Sequence, residues 1–357
     1  MWSLVTETKK LLDNRTEAVP LTIDPQYTVG FSWARQYGFR VTKNLGDKLA
    51  VGFSVESPQT TIGGRGFPAT FFINSQGAGG GLFNFVDTTG YTVSQAPDFV
   101  IKLAADPGFG HYELFGVIST FRERNYPCAT AAAAATCDGV KGPSTTGVFN
   151  DSRTGGGIGF NARAPLFQKK VDVGIHFLGG DGIGRYGTAQ LADVTARPDG
   201  TLAPIRGGQA LGTIEMHPNK KLDIYLNFGS EYAYRTAYIG ATATTGVGYG
   251  SPLFNNSGCN TEVLPAANPS PTVVPGGTLS PANAGSCAGD IRNIVEGTMG
   301  FWHRIYSGPK GRLQWGLQYS YLLKNTWSGD NSKPGNVGSA PNAHDNMVYT
   351  SFRYYIP

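Results

Sequence analysis

From Leu222 to Phe228 the chain alternates without a break: Leu222, Ile224, Leu226 and Phe228 fall on one side, Asp223, Tyr225 and Asn227 on the other. Successive side chains of an extended strand point to opposite faces, so this pattern writes a strand with one apolar and one polar face. The same period recurs at 48–56, where Leu49, Val51, Phe53 and Val55 alternate with Lys48, Ala50, Gly52, Ser54 and Glu56. It recurs at 170–177 and again at 312–323, where Leu313, Trp315, Leu317, Tyr319 and Tyr321 interleave with Arg312, Gln314, Gly316, Gln318 and Ser320. Weaker versions occupy 28–42, 98–104, 110–123, 155–164, 209–216, 293–306 and 345–356, and the first six residues supply part of one more. Each is about ten residues long, what a tilted strand needs to cross a bilayer, and together they make about twelve.

The links between these stretches alternate in length. Short ones fall near 44–47, 106–109, 165–168, 217–220 and 307–310; long ones near 7–27, 57–97, 124–152, 180–207, 235–291 and 327–344. An up-and-down barrel with tight turns at one end and long loops at the other produces this pattern. A soluble sandwich has no reason to segregate its connections so. In hydrocarbon every backbone N–H and C=O must be paired within the protein, so a sheet can cross only if it leaves no free edge. The expected fold is therefore all-β, an up-and-down antiparallel transmembrane β-barrel, with residues 1–357 forming one barrel domain whose long outer loops lie near 57–97, 124–152, 180–207 and 235–291.

Composition agrees with that reading. Glycine numbers 50 of 357 residues and charged residues make up 15%, against roughly 25% in soluble domains. No apolar run reaches the ~20 residues of a membrane-crossing helix. The aromatic residues Tyr232, Tyr234, Trp315, Tyr319, Tyr321, Trp327, Phe352 and Tyr354 lie at or near strand ends, where interfacial girdles form. The net charge of +4 is small and no basic cluster is interleaved with stacking aromatics, so nucleic acid is not an expected partner. Met1–Thr6 reads as half a strand and not as a signal peptide, which leads us to expect further strands upstream and no closure between the first and last strands of this chain.

Other motifs carry little. Gly182-Ile183-Gly184-Arg185-Tyr186-Gly187 matches the dinucleotide fingerprint, but the strand before it carries Asp172 and His176, unlike the apolar strand of a buried parallel sheet. It reads as a Gly-rich loop. The five histidines show no ligand spacing, so no metal is expected, and no G-x-S-x-G or H-E-x-x-H sequence is present. The chain is expected to be no enzyme and to need no cofactor. The four cysteines fall as two pairs inside long loops, Cys128 with Cys137 and Cys259 with Cys287. Exported through an oxidising compartment, they are expected as disulfides.

Several phrases resemble the DcaP-like family of outer-membrane porins. These are Met1-Trp2-Ser3-Leu4, the pair Phe31–Arg40 and Leu49–Gln59, the loop Gly180–Tyr186, and the closing Phe352-Arg353-Tyr354-Tyr355-Ile356-Pro357. The resemblance implies a homotrimer of barrels with about sixteen strands each, in the outer membrane of a Gram-negative bacterium. It also implies uptake of small anionic solutes such as dicarboxylates.

Alternation assigns the lumen face. It places Arg40, Lys48, Glu56, Lys102, Arg163, Lys170, Asp172, Arg312 and Arg353 inside, with Asp98, Glu215, Asp223 and Glu231 among the acids. Arg185 joins them if the 180–207 loop folds into the mouth and helps form a constriction. Inward Ala50, Gly52, Ser54, Gly157, Gly159, Gly174, Gly229 and Gly316 are small, which favours a water-filled pore for small hydrophilic solutes. The competing readings are an adhesive or receptor barrel with a plugged lumen, and an outer-membrane hydrolase.

Overall fold

The computed structural model describes residues 2–5, 19–32, 36–68, 71–72, 94, 96–129, 137, 143–254, 256, 289–330 and 340–357. Its frame is a single antiparallel path of twelve strands in chain order. These are β1 (Trp2–Val5), β2 (Gly38–Leu45), β3 (Leu49–Glu56), β4 (Asp98–Ala105), β5 (His111–Asn125) and β6 (Phe149–Leu166). They continue as β7 (Val171–Asp181), β8 (Arg206–Asn219), β9 (Leu222–Ala233), β10 (Ile291–Gly308), β11 (Gly311–Thr326) and β12 (Asn342–Tyr355). Short strands elsewhere belong to the long loops. Val194–Ala196 pairs Leu202–Pro204, Thr236–Ile239 pairs Gly246–Tyr249, and Phe71–Phe72 extends the outer end of β5.

The expected strands form in the expected order, with one correction. The alternating stretch 28–42 is not a single strand: only its end, from Gly38, joins the wall, while Thr28–Ser32 turns away from it. The physical reason lies at Gly30, whose φ of +82° no strand tolerates. Its N–H and that of Val29 are claimed by carboxylates of distant strands instead of a ladder neighbour.

The wall is inverted relative to a soluble protein. On β4 the side chains of Asp98, Val100, Lys102 and Ala104 are buried while Phe99, Ile101 and Leu103 are exposed. On β9 Asp223, Tyr225, Asn227 and Glu231 are buried, and Leu226 and Phe228 face out. Register keeps the outward face continuous, with Phe53 beside Ile101 and Leu226 beside Met299. A one-residue slip would exchange the two faces of a strand. A contiguous exposed band of this kind is untenable in water and is what hydrocarbon requires.

The ends of the path, β1 and β12, do not pair with one another among the described residues. The five short turns lie at one end, with left-handed glycines at Gly46, Gly108 and Gly311. The β6–β7 turn instead holds Phe167, Gln168 and Lys169 at φ of 49°, 57° and 66°, a conformation that side chains disfavour.

Three of the inward glycines lie against other groups of the protein rather than against open space. A side chain at Gly229 would run into the Val29 carbonyl, and those at Gly159 and Gly316 into the rings of Phe115 and Trp302. The space is occupied by neighbouring aromatics and by two chain segments that pass inside the wall, residues 19–32 and 182–205. They define the site.

Candidate functional site

Residues 19–32 cross the inner face from β8 to β12. The Leu21 N–H donates to Glu215 Oε1 at 2.7 Å, Ile23 N–H to Gln318 Oε1 at 2.8 Å, Val29 N–H to Glu296 Oε2 at 2.8 Å and Gly30 N–H to Glu231 Oε1 at 3.0 Å. In return Asn227 Nδ2 donates to the Leu21 carbonyl, Trp302 Nε1 to that of Thr22 and Arg353 to that of Ile23. A flat sheet would set β8 and β12 about 19 Å apart. Leu21 and Ile23, two residues from each other, are held by side chains from both strands, so the segment bridges the inner face between them. An irregular backbone at membrane depth is tolerable only where its polar groups find partners inside the protein, and here wall side chains supply them.

The second inward segment follows β7. Gly182–Gly187, the apparent dinucleotide motif, folds into a 3-10 turn at Gly184–Tyr186 whose Arg185 and Tyr186 are buried. Arg185 Nη2 lies 2.5 Å from Asp98 Oδ2 on β4 and 2.8 Å from Ser119 Oγ on β5, and Nη1 lies 3.1 Å from Asp193 Oδ1. The Tyr186 hydroxyl also donates to Asp98. Burial pushes the Asp193 carboxyl up, against the opposing pull of Arg185. Its oxygens also receive the main-chain N–H groups of Arg185 and Thr61. Arg185 does lie in a loop folded inward, but its guanidinium is spent on holding that loop to the wall.

The two segments are braced together. Glu231 accepts from Gly30 N–H and, at 3.1 Å, from Ala189 N–H. Gln209 Nε2 donates to Ser32 Oγ and to the Tyr186 carbonyl, and Thr188 Oγ1 donates to the Thr28 carbonyl. Glu296, Gln318, Gln209 and Asp193 were not singled out from the sequence. Alternation could show that the first three face inward, but nothing local marks the main-chain groups they hold.

The expected pore-lining residues divide into three groups. Lys48 and Lys170 sit in short turns, exposed at the rim. Glu56, Lys102, Arg163 and Asp172 face inward but are committed: Glu56 accepts from Ser54, Lys102 pairs with Glu113 at 2.6 Å, and Arg163 Nη2 bridges Asp172 at 2.7 Å and Glu215 at 2.5 Å. Arg40 lies on the inward face of β2, opposite Ser54. Arg312 and Arg353 form the third group. Their guanidinium carbons lie 4.1 Å from the centre of the Tyr355 ring and 4.5 Å from that of Trp302. Neither makes an ion pair among the described residues.

Near the short turns Asp172, Glu215 and His217 bring ligand-type atoms within 4.8 Å of one another. The Arg163 guanidinium already sits between the two carboxylates, and His217 Nδ1 is 2.8 Å from Asp223. Asp223 in turn pairs with Arg304. The two guanidinium groups offset most of the cluster's negative charge. Cys128 and Cys137 are disulfide-bonded across nine residues; Cys259 and Cys287 lie outside the described residues.

At the long-loop end Asp290, just before β10, accepts from Gly250 N–H at 2.7 Å, and burial raises its pKa to about 6. A carboxyl whose pKa is higher in the folded state favours folding most fully below its unfolded value, and the benefit is lost as pH rises through the folded value. The contact between Gly250, just after the Gly246–Tyr249 strand, and Asp290 is therefore expected to loosen between about pH 4 and pH 6. The protection factor of the Gly250 amide, which removes the intrinsic rise of exchange with pH, should fall across that interval in the wild type and stay level in Asp290→Asn.

No protein-family model matches the chain, and no curated protein sequence matches it at a significant level. Solved structures do. The outer membrane channel DcaP of Acinetobacter baumannii superposes over 99% of this chain and 71% of its own length, with a TM-score of 0.58 and 11% identity. OprB of Pseudomonas putida covers 88% of this chain and 59% of its own at 12% identity and a TM-score of 0.39. The fold is that of an outer-membrane channel barrel.

Proposed function

We propose that the chain forms an outer-membrane channel through which small hydrophilic, anionic solutes diffuse. The observation that carries the preference for anions is the unequal fate of inward charge. Eight inward acids, Glu56, Asp98, Glu113, Asp172, Glu215, Asp223, Glu231 and Glu296, each bond a protein donor, and the exception is Glu123, buried near the long-loop end of β5. Arg312 and Arg353, on adjacent strands and partly buried, lie over aromatic rings and face no carboxylate among the described residues, although Arg353 also donates to the Ile23 carbonyl. A guanidinium over a ring keeps N–H groups that the ring does not use, and its planar fork suits a carboxylate. Small dicarboxylates fit this chemistry, and a homotrimer is the assembly in keeping with the family that the sequence resembles.

Reversal potentials across a planar bilayer in a salt gradient test the proposal. Anion preference is expected in the wild type, and it should fall by about half or more when Arg312 and Arg353 are both replaced by Gln, since fixed charge close to the path sets selectivity. Cation preference, or no change in the double variant, would overturn it. Replacing the ion-paired Arg163 should alter selectivity less than replacing Arg353.

A plugged barrel is favoured by a different observation, the two braced segments inside the wall. Single-channel conductance separates the readings. Steady conductance from the intact chain supports a channel that runs beside the segments, and silence supports a plug.

A further inference from the structure

Lysine is concentrated in the short turns of this molecule, while arginine lies on the strands and long loops. Lys48, Lys169, Lys170, Lys220, Lys221 and Lys310 are exposed and occupy four of the five short turns. Among the described residues only Lys43, Lys102 and Lys324 lie elsewhere, on β2, β4 and β11. No short turn holds an arginine. The acids there are few: Asp47 is exposed, and Asp106 lies 2.5 Å from His111 Nδ1.

The lysines adjoin bilayer-facing apolar side chains. Leu45, Leu166, Phe167, Ile305 and Tyr306 are all exposed within a few residues of a rim lysine, Phe167 to 74%. The left-handed run Phe167-Gln168-Lys169 puts that phenyl ring and two ammonium groups on one turn, although a glycine or asparagine would take the backbone shape more readily. Apolar groups of this kind anchor the strand ends at the hydrocarbon boundary. The ammonium groups then lie one side-chain length further out, among the headgroup phosphates.

From this arrangement we infer that the short-turn rim is a docking surface for anionic glycerophospholipid, of the phosphatidylglycerol kind, in the leaflet that surrounds it. Ammonium groups suit the role because they act as mobile point charges on long stems, able to follow fluid headgroups, whereas a guanidinium is built for a fixed bidentate partner. Juxtamembrane lysines attract anionic lipid surfaces additively and in a salt-dependent manner. The inference rests on the membrane reading of the barrel and not on its being an open channel.

Trp315 supplies a native reporter. It lies on the outward face of β11, four residues from the turn, meeting Phe301 edge-on and stacking on Phe352. The full chain is reconstituted in mixed vesicles of phosphatidylcholine and phosphatidylglycerol, with brominated acyl chains on one lipid or the other, and tryptophan quenching gives their relative binding. Phosphatidylglycerol should be favoured about threefold or more at low salt, and the preference should vanish near 1 M salt, where the screening length is about 3 Å. Replacing all six rim lysines by Gln should bring the ratio to unity, while replacing all six by Arg, which keeps the charge but not the mobile ammonium, should leave it above unity and below the wild-type value. Equal quenching by both lipids in the wild type, or a preference that survives salt or the six Gln substitutions, overturns the inference and leaves the barrel reading intact. Quenching by neither brominated lipid overturns both.

Discussion

Replacing Arg185 with alanine is expected to release residues 182–205 from the inner wall and to destabilise the fold by about 3–5 kcal/mol, the usual cost of removing one partner from a buried ion pair. The loss is large because three groups lose their donor together. Asp98 and Asp193 have fully buried side chains, and Ser119 is buried beside them. Each carboxylate would stay charged without its counterion or take up a proton, and both outcomes cost free energy. The wall should survive, since its ladder is made of main-chain bonds that Arg185 does not share. Two readings follow: a lower midpoint in urea unfolding, and faster amide exchange in 182–205 than in β4 or β5. Conductance should rise if that segment narrows the lumen. A midpoint within about 1 kcal/mol of wild type would show that the pair contributes little, as surface pairs do.

Replacing Gly30 with valine is expected to lift residues 19–32 off the wall. Gly30 adopts φ of +82°, which a β-branched residue resists, and its added Cβ would collide with the Ala210 carbonyl and crowd the Ser230 nitrogen. Both partners belong to the wall ladder and cannot yield. The cost should reach about 3 kcal/mol or more, combining backbone strain with a fixed steric clash. The segment would have to surrender its bonds to Glu231 and Glu296 to escape it. A larger single-channel conductance is the expected consequence, with anion preference reduced because two acids would be uncovered. Glu231→Gln, which keeps an acceptor oxygen, should give a smaller change in the same direction. Unchanged conductance in Gly30→Val, with the segment shown by exchange to be released, would mean that 19–32 does not narrow the path.

Strand positions were legible in the sequence because the rule that writes them is local. In a wall with lipid on one side, each strand must carry apolar groups at every second position whatever its neighbours are. Leu222–Phe228 states that by itself, and the fixed span of hydrocarbon sets the length. The alternation of short and long links follows from the same geometry, as antiparallel neighbours need only a few residues at one end. The inward face of Arg312 and Arg353 came from the same parity. The stretch 28–42 misled because apolar and polar residues also alternate where Val29 and Phe31 are buried on the loop rather than on a strand.

What remained hidden is everything inside the wall. Parity reports which way Glu231 points, but not that it caps the N–H groups of Gly30 and Ala189, 201 and 42 residues away. It could not show that Arg185 is consumed by Asp98 while Arg353 meets a ring and the Ile23 carbonyl but no carboxylate, nor that glycines such as Gly229 make room for another stretch of chain. Facing and spacing along a strand are properties of neighbours in the chain, so the sequence by itself determined the wall and its inside-out polarity. Which inward charge is cancelled and which stays available to a solute depends on the chain folding back into its own lumen. That is a long-range encounter, settled by the partners that buried polar groups find when water is excluded, and only the tertiary structure decided it.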